Sequence, residues 1–112
     1  MPHIDVLFET CRKKEVIAAN PRLCALLLMH RYLPKIGVVY LRTTAYRTPV
    51  QKWLEDIPGL TGNDKRVLMQ KLMKAVGEVV AELKREVGGV ASAANLRRAV
   101  HRRLLEELRR FA

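Results

Sequence analysis

The chain has 112 residues and a net charge of +10, from 21 basic and 11 acidic side chains, which bounds it to one small basic domain. An apolar content of 49% excludes a disordered tail, and 5% aromatics, with Leu, Val and Ala dominating the apolar set, argues against a β-sandwich. Its longest near-apolar run, 23–29, falls far short of the roughly 20 residues that a membrane-spanning helix needs, and residues 1–10, with Asp5 and Glu9, lack the pattern of a secretory signal.

In chain order, Ile4, Leu7, Phe8 and Cys11 share one helical face, so the spacing predicts a first helical segment over 4–19, with Arg12, Lys13 and Lys14 inside it. Asn20 is a good N-cap, and Pro21 fits the first helical position, where its missing N–H is not needed. The helix they open is predicted to run to Leu33 and to stop at Pro34. Its middle is apolar almost all round, so burial on most sides is expected, with a partner subunit as the natural cover. Residues 36–41 read as helix or irregular structure, and 42–48 as an extended polar stretch before Pro49.

Pro49 opens a short helix over 50–57, ended by the turn Pro58-Gly59-Leu60-Thr61-Gly62. The clearest helix follows, over about 64–87, where Leu68, Leu72, Val76, Val79, Leu83 and Val87 form an apolar stripe. Gly88 and Gly89 end it, and Ser92 or a neighbour starts a last helix striped by Leu96, Val100, Leu104, Leu108 and Phe111. On that helix Arg102–Glu106, Arg103–Glu107 and Glu106–Arg110 have i,i+4 spacing. The expected fold class is all-α: an N-terminal helical hairpin, a basic connector and a C-terminal antiparallel helix bundle. The division falls at 1–48 and 49–112, the two parts forming one structural unit.

The pattern of catalysis is absent. No acid is spaced with a histidine or a nucleophile for general acid–base work, and His3, His30 and His101 are far apart in sequence with no credible metal ligand beside them. The expectation is no enzyme, no metal and no cofactor. Cys11 and Cys24 are read either as a reduced thiol pair or as a disulfide across two neighbouring helices.

The charge distribution is more informative. Residues 16–54 contain no aspartate or glutamate, yet hold Arg22, Arg31, Lys35, Arg42, Arg47 and Lys52, spread along the run and not bunched. Arginines outnumber lysines by 13 to 8, and the guanidinium fork matches phosphate oxygens two at a time. Thr44 and Tyr46, with their neighbours Thr43, Thr48 and Tyr40, can donate to phosphate oxygens. With no acid nearby in sequence, no internal ion pair is expected to compete for these cations, which leaves them to a polyanion. The expected DNA-binding set is Arg22, Arg31, Lys35, Arg42, Thr44, Tyr46, Arg47 and Lys52 together with Arg12, Lys13, Lys14, Arg97 and Arg98, the last two lacking a glutamate one turn away. The competing reading makes the cations a solvated face and places Tyr40 and Tyr46 in the core.

The layout resembles the major coat proteins of filamentous and rod-shaped archaeal double-stranded DNA viruses: rudiviruses, lipothrixviruses and tristromaviruses. The matching features are Ala19-Asn20-Pro21 opening an apolar helix, Pro34 closing it, a proline-bearing basic connector, and the Leu60-Thr61-Gly62 turn followed by Lys65 and Arg66. A long striped helix, a glycine break and a last helix complete the order, from Ala19 to about Leu108; the last helix is richer in arginine than the rudivirus pattern. The resemblance implies a structural capsid protein of a helical virion from a hyperthermophilic host, coating double-stranded DNA in A-form without reading its sequence. It implies an N-terminal hairpin arm that wraps the duplex, homodimers or heterodimers with a second coat protein that polymerise helically, and in some families a membrane envelope. A small cellular nucleic-acid-binding protein of a hyperthermophile, ribosomal or chromatin-associated, is the alternative, and a helical subunit of a larger enzyme complex is a third.

Overall fold

The structure is a computed structural model that describes residues 4–36, 41–87 and 93–111. Among them there is no strand. Six α-helices carry the fold: α1 (Ile4–Thr10), α2 (Lys14–Ala19), α3 (Pro21–Ile36), α4 (Arg47–Glu55), α5 (Gly62–Val87) and α6 (Ala93–Phe111), with a 3-10 turn at Thr43–Tyr46. The all-α expectation therefore holds, while several boundaries differ.

The N-terminal segment is two helices. Lys13 is extended (ψ 130°), and the break at 11–13 lets Leu7, Phe8 and Cys11 on one side and Ile17 on the other all reach the core. Arg12 fixes the turn by donating to the carbonyl of Asp56 at 2.8 Å, just past the end of α4. Asn20 then serves two helices. Its backbone N–H donates to the carbonyl of Val16, closing α2, and its own carbonyl accepts from Cys24, opening α3. Its side-chain amide also donates to Val16 and makes no cap on α3. Pro21 occupies the first position of α3, where no N–H is required.

Helix α3 continues to Ile36, past the stop expected at Pro34. Proline disfavours helical backbone in the residue before it, but here that residue is Leu33, 2% exposed, and its burial in the core outweighs the local preference. The stretch expected to be extended, 42–48, is mostly helical: Thr43–Tyr46 is the 3-10 turn, and α4 starts at Arg47. Pro49 is thus the third residue of α4, still among the positions whose N–H has no intrahelical acceptor. The division expected at 48/49 falls inside this helix. Most of the stretch at 36–41, with Tyr40, lies outside the described residues, as do Gly88, Gly89 and Ser92.

Before α5, Gly59 has φ +84°, a left-handed conformation that glycine adopts without a Cβ clash. Thr61 and Asp64 then cap each other's backbone: Asp64 N–H donates to Thr61 Oγ1, and Thr61 N–H to Asp64 Oδ2, both at 3.0 Å.

Helix α3 lies inside the bundle, packed chiefly on α5 and α6. Residues 23–29 are each at most 1% exposed. The cover expected from a second subunit comes instead from this chain's own long helices. Each leucine so buried contributes about 1.5–3 kcal/mol of transfer free energy. The radius of gyration is 13.4 Å, and a compact chain of this length is expected at about 13 Å. In this fold the N-terminal helices are part of the globule.

Candidate nucleic-acid interface

Tertiary packing sorts the cations into two groups. One is neutralised where α3, α5 and α6 meet. Arg22, on the first turn of α3, donates both Nη atoms to the Glu82 carboxylate at 2.8 Å and its Nε to Glu107 at 3.0 Å. Arg103 donates to Glu82 at 3.2 Å and to Glu86 at 2.6 Å; Arg102 also pairs with Glu86, and Arg110 with Glu107. Hydrogen bonds from Arg22, then Arg103, hold the Glu82 carboxyl down to about 2, against the opposing effect of burial.

This cluster corrects two expectations. The acid-free stretch is acid-free only along the chain: Arg22, expected to be free for DNA, is held by carboxylates 60 and 85 positions away. The i,i+4 pairs expected on α6 do not form either. Arg102 and Arg103 reach across to α5, because α6 turns that face toward Glu82 and Glu86.

Other expected contacts are also engaged. Tyr46 is 1% exposed, and burial raises its hydroxyl to about 12, so it is a core residue and presents nothing to a phosphate. Arg12 is tied to Asp56 and Glu9, and Lys14 lies 3.7 Å from Asp64. The Arg31 guanidinium stacks 4.5 Å from the centre of Phe8, which packs edge-on against Trp53. The side chain of Lys35 lies outside the described residues.

The second group is exposed. Lys13, Arg42, Thr44, Arg47, Lys52, Arg97 and Arg98 all face solvent. Among the described residues ion pairs occupy six basic side chains, Arg12, Lys14, Arg22, Arg102, Arg103 and Arg110, and exposed cations outside them carry much of the excess charge. Part of it is organised. Between α4 and the N-terminal half of α5 runs an open groove of about 550 Å³, floored by Leu54, Met69 and Met73. Arg47 lines one wall and Lys65 and Arg66 the other, with Gln51 and Gln70 adding amide donors. Glu55 is the one carboxylate in its lining, and it accepts from Gln51 at 3.2 Å. In the sequence Lys65 and Arg66 stand out only as companions of the Leu60-Thr61-Gly62 turn; the hydrophobic packing that sets α4 beside α5 is what joins them to Arg47.

Among the described residues no group of three His, Cys, Asp or Glu side chains is placed to hold a metal ion, and no helix is long and apolar enough to cross a membrane. Cys11 and Cys24 are buried free thiols in hydrogen-bond contact; that contact, with burial, pushes Cys24 far up from the usual thiol range. No protein-family model, no curated protein and no solved structure matches the chain.

Proposed function

We propose that this protein binds the phosphate backbone of nucleic acid, with double-stranded DNA as its partner, without reading sequence. The observation that carries the proposal is the groove between α4 and α5, where Arg47 faces Lys65 and Arg66 across an apolar floor on a chain of net charge +10. Cations in an open groove can replace the counterions that a duplex releases, Arg66 doing so while it donates one Nη to Asn63 Oδ1 at 2.7 Å, and a binding free energy of that origin is indifferent to base order. Arg42, before α4, and Lys52, on it, are exposed cations outside the groove's lining.

The bundle binds as a rigid body in this reading. A wrapping arm would require α3 to leave α5 and α6 and expose the leucines of 23–29, whereas seating the folded bundle on a duplex requires no such step. The role of capsid subunit in a helical virion, with A-form DNA and a related coat protein as partners, rests on the ordered motifs between Ala19 and Leu108. The three-helix arginine–glutamate cluster, a kind of network that stabilises proteins at high temperature, is consistent with a hyperthermophilic setting.

Fluorescence anisotropy with two 30-base-pair duplexes of unrelated sequence tests the general reading. Affinities within about threefold of each other are expected, both falling steeply with salt. A preference above about tenfold for one duplex would signal base readout and overturn the proposal. Electron microscopy of the same mixtures tests the coat role: filaments of fixed pitch support it, and isolated bound particles argue for the cellular alternative.

A further inference from the structure

Helices α3 and α6 run antiparallel, as the Arg22–Glu107 pair at one end shows. At the other end the same register brings His30 against His101, two residues 71 positions apart, with ring centres 5.6 Å apart and ring planes tilted by 41°. Two histidines that are distant in sequence thus meet in the fold. Arg97, one turn before His101, and Arg98 complete an open notch of about 360 Å³ whose remaining lining residue is Ala94. Among the described residues no carboxylate lines the notch. On α6 the charged groups facing His30 are Arg97 and His101. On α3 its neighbour Arg31 is turned to Phe8. No charged side chain of α5 lines the notch.

We infer that this notch is a phosphoryl-binding site, occupied by a phosphate ester held between His30, Arg97 and His101 and bound more tightly as the imidazoles take up protons.

Electrostatics favours an anion here. Two imidazoles in ring contact beside a guanidinium repel one another once protonated, and half-burial of His30 adds a desolvation cost. Burial first, then His101 and Arg97, hold its pKa below the ordinary histidine value. Elsewhere in this bundle arginines that approach each other share a carboxylate, as Arg22 and Arg103 share Glu82. Here no side chain lining the notch supplies the bridging anion, and the cluster is open to receive one. A divalent cation fits less well: among the described residues the notch offers two imidazoles as metal donors, and the fixed charge of Arg97 opposes it. Arg98 is partly committed, donating to Ala94 and Asn95 at 3.3 Å, which leaves Arg97 as the principal fixed charge. The site is separate from the α4–α5 groove, so it stands whether or not the groove binds DNA. Its phosphate can come from a nucleic-acid backbone or from a free phosphate ester.

The test is an NMR titration of the histidine ring protons in the full-length protein between pH 5 and 8. It is run in chloride, in inorganic phosphate at matched ionic strength, and with a short DNA duplex. Phosphate should raise the pKa of His30 by about 1 unit, the size expected from an opposite charge within contact distance. Arg97→Gln, a change at an exposed position, should abolish most of the rise, and Arg97→Lys should retain it. The same rise with the duplex assigns the phosphate to a nucleic-acid backbone; a rise with inorganic phosphate alone assigns it to a free ester. A His30 pKa unmoved by both phosphate and the duplex would overturn the inference.

Discussion

Tyr46 and Glu82 show how burial and partners assign a residue its role. A tyrosine in a basic stretch reads as a phosphate donor, yet Tyr46 is enclosed, and its hydroxyl has no hydrogen-bond partner among the described residues. Removing an unsatisfied buried hydroxyl while keeping the ring costs little and can stabilise. Tyr46→Phe should therefore leave DNA affinity unchanged and leave stability to urea unchanged or raised by about 1 kcal/mol; a loss of affinity would return Tyr46 to the interface. Glu82 anchors Arg22 and Arg103 together, so Glu82→Gln leaves two arginines without their shared carboxylate and should cost about 1–2 kcal/mol, between the values for exposed and buried pairs. The pH dependence has a definite sign. The folded pKa of Glu82, about 2, lies below its ordinary value, so its contribution is full above about pH 4.5 and is lost as pH falls toward 2. Urea midpoints at pH 7 and pH 3 should differ less in Glu82→Gln than in the parent; an equal difference would remove Glu82 from the acid response.

At the scale of elements, Gly77 sits in the middle of α5, where glycine costs about 1 kcal/mol relative to alanine. The 3-10 turn approaches there: a Cβ on Gly77 would lie 3.7 Å from Thr43 Oγ1 and Cγ2, ordinary van der Waals contact. Gly77→Ala should therefore raise the stability measured by urea unfolding by about 0.5–1 kcal/mol, and a decrease would mean that the turn and α5 pack more closely than this. The long helices were legible because α5 and the last helix carry unbroken apolar stripes, and Asn20-Pro21 marks a helix start by local chemistry alone. The failures share one cause. Pro34, Pro49 and the break at Lys13 are positions where tertiary burial of Leu33, Val50 and Ile17 competes with a local backbone preference, and a linear reading weighs only the latter. The candidate interface was legible in part: the exposed Arg42, Arg47 and Lys52 follow from composition. The capture of Arg22 by Glu82 and the meeting of His30 with His101 depend on how α3 crosses α5 and α6, for which no local signal exists.

At the scale of the whole molecule, the net charge governs the choice of partner. The acids are distributed unevenly: Glu82, Glu86 and Glu107 lock three helices together, and the α4–α5 groove is lined by three cations and one carboxylate. A fold that buries 23–29 between its own helices can present that groove as a rigid surface. The most direct measurement is the salt dependence of duplex binding for the parent and for Arg47→Gln/Lys65→Gln/Arg66→Gln, followed by anisotropy from about 50 to 300 mM salt. The account predicts a steep parent slope of log affinity against log salt, reduced in the variant by about 0.9 for each phosphate that is no longer neutralised, roughly 2–3 in all. A variant slope equal to the parent's, with affinity intact, would contradict it.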